Sequence, residues 1–158
     1  MQILPYDGGV ARFLTDPASA QQCFVTSEPL AARRQGVEPK VFLGADEGFN
    51  PYVGVVVTRA SLWKDKPELV RAFVRASREG WKAYLQDPAP ANATMAKLNP
   101  AMDARTFQEA AAAQKPLIDD GKTPLGSMSA ERWKTLADTL VSLGLLSSPS
   151  LPTLPALD

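Results

Sequence analysis

The hydrophobic pattern of the chain changes at a turn-forming segment, residues 48–51, which reads Gly-Phe-Asn-Pro. Before this segment, short apolar runs at residues 3–6, 20–26 and 41–43 alternate with helix-sized stretches, an order that predicts parallel strands joined by crossover helices. After it, residues 53–57 read Val-Gly-Val-Val-Val, which is apolar on both faces of a strand and predicts a central, covered strand. The sequence therefore predicts an α/β fold in which a β-α-β-α-β portion gives way to a mainly helical one.

The strongest helical signal begins after residue 65. Apolar side chains recur there at helical spacing along one stripe, which we expect to be buried. The stripe comprises Leu69, Val70, Phe73, Val74, Trp81, Tyr84 and Leu85. Shorter helices are predicted at residues 10–14, 30–35, 91–98, 103–115 and 129–143. Residues 146–158 are rich in Pro and Ser, lack periodicity and predict a flexible tail.

The composition excludes several kinds of function. The 158 residues include no histidine and a single cysteine, Cys23, so a Ser-His-Asp triad, a Cys-His dyad and a zinc site of the usual kind cannot form within this chain. Cys23 lies in an apolar run and is predicted to be buried. The 17 Lys and Arg residues balance the 17 Asp and Glu residues, so no net charge favours nucleic acid or an anionic membrane surface. We therefore expect no catalytic chemistry, no metal, no cofactor and no nucleic-acid partner.

Several segments, taken in order, resemble a known family. They are TSEP at residues 26–29, GFNPYVGVVVTR at residues 48–59, KPELVRAFVRASREGWKAYLQDP from residue 66 and GSMSAERWKTLADTL from residue 126. Over roughly residues 3–145, this set is similar to periplasmic substrate-binding proteins of ABC importers. The group it resembles is the one that handles nitrate, sulfonates, taurine and thiamine-pyrimidine precursors.

The resemblance implies a type II periplasmic-binding-protein fold, in which two lobes close over a small solute in the cleft between them. Residues 1–48 would be part of lobe two, residues 49–52 the hinge, residues 53–145 the return into lobe one and residues 146–158 the tail. The chain would then be the C-terminal half of a receptor. Such a receptor would be periplasmic or anchored on the outer side of the membrane and would pass its solute to an ABC permease, although the first residues here lack a signal-peptide pattern.

One group of candidate ligand contacts lies at residues 26–28. Glu28 follows a predicted strand and precedes a helix that begins near Pro29, the place where ligands gather in open α/β sheets. Its carboxylate would accept hydrogen bonds from an amino-pyrimidine, an amine or a hydroxyl; the structural alternative is a carboxylate that stabilises a helix start. Thr26 and Ser27 offer hydroxyl groups at the same loop, where N-capping is their alternative role.

A second group lies in the predicted hinge. Asn50 would either contact the ligand or form an Asx turn with its own backbone. Tyr52, with Phe49, would supply an aromatic wall for a heteroaromatic ligand, or else pack in the core. Tyr6 and Asp7 are weaker candidates that rest only on their place after a predicted strand.

The sequence thus favours a solute-binding protein for a small organic compound such as a pyrimidine or a sulfonate. A pyrimidine-precursor synthase resembles the same proteins but depends on a cysteine-rich motif and a histidine, which this chain lacks. The remaining alternative is an interaction or regulatory domain, or a truncated domain without function, whose apolar helix faces would favour a dimer.

Overall fold

A computed structural model describes residues 2–148, and this part of the chain is helical. Pairs of extended segments joined by a hydrogen-bonded ladder do not occur within it. Its helices are α1 (Ala11–Thr15), α2 (Glu28–Arg34), α3 (Ala60–Asp65), α4 (Pro67–Gln86), α5 (Ala89–Leu98), α6 (Ala104–Ile118) and α7 (Ala130–Ser142).

The described residues form two compact units. Unit one comprises residues 2–41 and 83–120, and unit two comprises residues 42–82 and 121–148. Helix α4 contributes to both, because the division falls between Lys82 and Ala83.

Unit one has a small apolar core. Its buried residues come from α2, the end of α4 and α6; they are Pro29, Ala32, Leu85, Phe107 and Ala111. Helix α5 packs against α6. An ion pair adds to these contacts, since Arg34 on α2 donates to Glu109 on α6 at 2.8 Å and to the hydroxyl of Thr106 at 2.7 Å.

Local sequence features mark the starts of α2 and α6 and the end of α2. Pro29 occupies the first turn of α2, where its missing N–H costs nothing. Gly36 follows the end of the same helix with φ of +80°, a left-handed conformation that glycine adopts without strain. At the start of α6, the Asp103 carboxylate accepts a hydrogen bond from the backbone N–H of Thr106 at 2.7 Å.

Unit two contains α3, most of α4 and α7. Helix α7 is capped by Ser129, whose hydroxyl oxygen accepts from the backbone N–H of Arg132 at 3.2 Å. Within the described part of this unit, Ala137 is the buried residue. Large apolar side chains are exposed instead, among them Val57 at 83% and Phe73 at 58%.

The predicted strands at residues 3–6, 20–26, 41–43 and 53–57 are wrong for the described chain, which is irregular or forms turns there. A strand persists only when a neighbouring extended segment accepts and donates its backbone hydrogen bonds. Residues 2–148 provide no such neighbour for these runs, and the side chain of Val53 is 78% exposed rather than covered. Apolar and β-branched composition identified segments suited to a sheet, but pairing decides whether a sheet forms.

The six predicted helices are confirmed, with shifted ends, and α3 was not predicted. The predicted burial of the α4 stripe is wrong in part, because Leu69, Phe73 and Trp81 are exposed while Leu85 is buried. The prediction for Cys23 is also wrong, since this side chain is exposed. Most of the predicted tail lies outside the described residues, and the predicted lobe assignment stays a prediction.

Candidate functional site

The predicted contacts at residues 26–28 belong to unit one, where Glu28 is the first residue of α2. Its Oε1 accepts a hydrogen bond from the hydroxyl of Tyr6 at 2.8 Å, and its Oε2 accepts from the backbone N–H of Phe24 at 3.1 Å. Ser27 occupies the N-cap position, but its hydroxyl makes no capping hydrogen bond, and Thr26 lies in the preceding turn. The structure therefore brings Tyr6, one of the weaker candidate ligand contacts, to Glu28.

The hydrogen bonds to Glu28 favour its ionised form. Burial alone would raise the pKa of Glu28, but the hydrogen bonds from Tyr6, from the backbone and from Ser27 together lower it below its usual value. The same contact raises the pKa of Tyr6, because ionising the phenol would break its hydrogen bond and place two negative charges together. Glu28 is thus an anion that links residues 6 and 24 to the start of α2 through hydrogen bonds. Its two oxygens can accept further hydrogen bonds from a ligand.

The predicted contacts Asn50 and Tyr52 belong to unit two, where one arginine of α7 holds them. Arg132 donates from Nε to the backbone oxygen of Asn50 at 2.6 Å, and from Nη2 to Asn50 Oδ1 at 2.6 Å and to the Pro51 carbonyl at 3.0 Å. Its guanidinium carbon lies 4.1 Å from the centre of the Tyr52 ring. The predicted Asx turn is therefore replaced, because Asn50 Oδ1 accepts from Arg132.

The Tyr52 side chain joins the turn to the start of α7. Its hydroxyl oxygen accepts from the backbone N–H of Ser129 at 2.8 Å, and its ring lies 5.4 Å from the ring of Trp133, centre to centre. Burial alone would raise the pKa of Tyr52, but the Ser129 hydrogen bond and the charge of Arg132 favour the phenolate and lower it. The Nε1 donor of Trp133 is buried and finds no partner among the described residues.

A cavity of about 250 Å³ opens beside this cluster, within unit two. One wall is the turn at residues 48–51, and the other is the face of α7 that carries Ser129, Glu131, Arg132, Thr135, Leu136 and Thr139. The hydroxyl of Thr135 donates its hydrogen to the backbone oxygen of Glu131 at 3.0 Å. Toward the cavity this hydroxyl can therefore only accept a hydrogen bond. The cavity thus combines an aromatic ring, Phe49, with a small number of polar groups.

Arg132 is the residue that sequence reasoning missed. The sequence feature that could have identified it is its place as the third residue of α7. The positive end of the helix dipole disfavours a cation in this first turn. A cation kept at such a place needs oxygen partners, and the turn at residues 50–51 provides them. The partners lie about eighty residues earlier in the chain, so no local pattern identifies them.

Residues 2–148 lack two kinds of feature. Clusters of three or more Cys, Asp or Glu side chains placed to hold a metal ion are absent from that range. Helices with the length and apolar character needed to cross a bilayer are likewise absent among the residues described.

Comparison with known proteins identifies the family. The model of the family described as NMT1/THI5 like matches residues 2–91, which is more than half of the chain. The chain belongs to the NMT1/THI5-like family. This confirms the resemblance to substrate-binding proteins of this kind that the ordered segments predicted.

A curated relative of this chain is the riboflavin-binding protein RibY of Chloroflexus aurantiacus. The two are 30% identical over 136 residues, which cover 80% of this chain and 37% of the relative. The chain therefore spans little more than a third of the length of this relative. No solved structure matches the chain.

Proposed function

We propose that the chain is part of the solute-binding component of an ABC importer and that it captures a small heterocyclic solute without changing it chemically. The observation that carries this proposal is the 30% identity over 136 residues with a protein described as riboflavin-binding. The absence of histidine from all 158 residues supports binding over catalysis.

The cavity of unit two is the site that suits such a solute best. A flavin or a pyrimidine offers a flat aromatic face and polar edges, and the cavity offers the Phe49 ring and the Asn50 amide. Its volume of about 250 Å³ lies just under the range of about 300–1,000 Å³ for sites that enclose drug-sized ligands. We therefore propose that the cavity holds one end of the ring system of the solute. Asn50 would contact the solute directly, and Tyr52 would lie behind Arg132. Thr26, Ser27 and Glu28 of unit one form a separate candidate contact for a donor group.

The same proposal includes a partner and a location. The receptor would work outside the cytoplasm, in the periplasm or anchored to the outer face of the membrane, and would present its solute to an ABC permease. Neither step requires a metal or a cofactor.

Riboflavin fluorescence tests the proposal directly, because stacking against aromatic side chains quenches flavin emission. The 158-residue chain should quench riboflavin in a saturable titration, and Asn50→Ala should weaken binding by about tenfold, equivalent to about 1.4 kcal/mol. Val57→Ala, at a side chain that is 83% exposed and outside the cavity, is the matched control and should bind as the wild type does.

Parallel titrations decide between the parts of the proposal. Glu28→Ala should weaken binding only if unit one contributes a contact, and competition with taurine and with an amino-pyrimidine compares the other solute classes. A chain that does not quench riboflavin, and that binds neither taurine nor the amino-pyrimidine in direct calorimetric titrations, would contradict the solute-binding role.

A second candidate function is self-association, and the exposed apolar residues of unit two favour it. Leu69, Phe73 and Trp81 lie at helical spacing on α4 and are all exposed. Contiguous apolar surface of this kind is typical of protein interfaces. Size-exclusion chromatography of the wild type and Phe73→Glu tests this role: a dimer that the variant converts to a monomer supports it, whereas a monomeric wild type contradicts it.

A further inference from the structure

Arg132 determines which way round the Asn50 side-chain amide lies. A guanidinium carries only hydrogen-bond donors, so the atom it contacts at 2.6 Å must be the amide oxygen rather than the amide nitrogen. A second donation, from Arg132 Nε to the backbone oxygen of Asn50 at 2.6 Å, holds the guanidinium in the plane of that contact. One of the two acceptor positions of the amide oxygen is therefore occupied, and the orientation of the amide is fixed.

The amide nitrogen of Asn50 keeps both of its donor positions for a ligand. Among residues 2–148, Nδ2 of Asn50 has no acceptor within hydrogen-bonding distance, and Asn50 is exposed at the rim of the unit-two cavity. An amide NH₂ group donates two hydrogen bonds and accepts none. Trp133 Nε1, in the same cluster, is a second donor without a partner in the described chain.

We propose that Arg132 is a positioning residue that makes Asn50 a hydrogen-bond donor toward the cavity, so that the cavity selects solutes with a neutral acceptor such as a ring carbonyl oxygen. This inference rests on the proposed function in so far as the cavity binds a solute. It also specifies that function, because a ligand edge that carries only donors would cover the Asn50 NH₂ and leave it unpaired, which weakens binding.

The charges around the cavity favour a neutral acceptor over an anion. Glu131 and Arg132 both line the cavity, so their charges offset one another. The Nε and Nη2 groups of Arg132 also donate hydrogen bonds to the oxygens of Asn50 and Pro51. A sulfonate or carboxylate would meet the Glu131 carboxylate without the free bidentate arginine that usually binds such groups. The carbonyl groups of a flavin or pyrimidine meet no such repulsion.

The test uses a substitution that separates the two halves of the Asn50 amide. Asn50→Asp keeps an oxygen for Arg132 and replaces the donor NH₂ with a second oxygen. In the riboflavin titration this variant should lose at least about tenfold in affinity, whereas its thermal unfolding midpoint should match that of the wild type. Wild-type affinity in Asn50→Asp would overturn the proposal, since the donor would then be unused.

Substitution of Arg132 tests the positioning role by itself. Arg132→Met should lower riboflavin affinity because the amide can then turn over, and Arg132→Lys, which keeps a donor for Asn50 Oδ1, should recover part of the loss. The side-chain amide signals of the three asparagines in a ¹⁵N-edited spectrum give a readout without ligand. The pair that disappears in Asn50→Asp is the reporter; it should be a single sharp pair in the wild type and should double or broaden in Arg132→Met.

The two readouts keep failure of the inference apart from failure of the proposed function. If the wild type does not bind riboflavin, the flavin assignment fails, and the amide spectrum alone decides whether Arg132 fixes Asn50. Amide signals that are the same in Arg132→Met as in the wild type would overturn the positioning role, whatever the titrations show.

Discussion

In unit one the apolar side chains of α2, α4 and α6 cover one another, whereas in unit two most large apolar side chains of the described residues are exposed. Phe107 of unit one is 8% exposed and Phe73 of unit two is 58% exposed, although both lie on helices. Each unit also has an arginine that joins distant segments, but Arg34 binds a carboxylate, Glu109, and Arg132 binds neutral amide oxygens.

The difference teaches that hydrophobic content and hydrophobic burial are separate properties. Unit two contains the most apolar run of the chain, residues 53–57, and yet Ala137 is its buried residue within the described chain. Burial needs a second surface, and among residues 2–148 the helices of unit one supply it to each other. In unit two the polar contacts of Arg132, Tyr52 and Ser129 fix the turn at residues 50–52 instead.

The largest expected effect is that of Phe107→Ala. Truncating a buried phenylalanine leaves a cavity and removes apolar contacts, so we expect the free energy of unfolding to fall by about 3 kcal/mol. Hydrogen exchange should show the loss mainly in the amides of α2 and α6. Phe24→Ala is the matched control, because this ring is 67% exposed and its removal should cost about 0.5 kcal/mol or less. Equal loss of protection in α7 would break the comparison between the units.

The sequence predicted the helices of both units but not which of their faces would be covered. Helices follow from local features such as the Ser129 cap, Pro29 in a first turn and Gly144 after α7, so a single pattern identifies each. The strands were predicted from the same kind of local pattern, but a strand depends on a partner elsewhere. Among the described residues no extended segment pairs with Val53 and its neighbours, and composition gives no information about pairing.

The candidate sites show the same limit. Glu28, Asn50 and Tyr52 were identified from loop position and chemistry, which are local properties. Their hydrogen-bond partners Tyr6 and Arg132 lie 22 and 82 residues away from Glu28 and Asn50 in the chain. The sequence therefore posed an Asx turn and a ligand contact as the roles of Asn50, but its contact with Arg132 required the structure.

Acid should affect the two units differently, with an effect smaller than that of Phe107→Ala. Hydrogen bonds from Arg105 and Arg34 lower the pKa of Glu109 below 4.5, and the pKa of Glu28 is lowered as well. Because the folded state binds these protons more weakly than the unfolded state, their stabilisation is fully present above the unfolded pKa and is lost as the pH falls through the folded value. Unit one should therefore loosen as the pH falls below 4.5.

Tyr52 in unit two affects stability in alkaline rather than in acid solution. It is lowered from 10.0, so any stabilisation from its phenolate develops in alkaline solution and is absent at neutral and acid pH. Hydrogen exchange, corrected for the intrinsic effect of pH, should show α2 and α6 losing protection in acid before the turn at residues 50–52 is released. Glu109→Gln should flatten the acid response of unit one. Release of the Arg132 contacts before those of Arg34 would contradict this order.

The smallest expected effect is on the reactivity of Cys23, the exposed cysteine of unit one. Partial burial and then the negative charge of Glu28 raise the pKa of this thiol, which lowers its thiolate fraction at neutral pH. Removing the charge with Glu28→Gln should therefore speed alkylation by iodoacetamide a few-fold and move the pH profile of the reaction to lower pH.

Tyr6→Phe separates the charge of Glu28 from its structural role. This variant removes the hydrogen bond of 2.8 Å to Glu28 Oε1 and leaves the carboxylate in place. If charge is the cause, Tyr6→Phe should alkylate at close to the wild-type rate while Glu28→Gln is faster. If instead the loop at residues 23–28 merely loosens when Glu28 loses its contacts, both variants should accelerate alike, and Glu28 would then act on Cys23 through packing rather than through its charge.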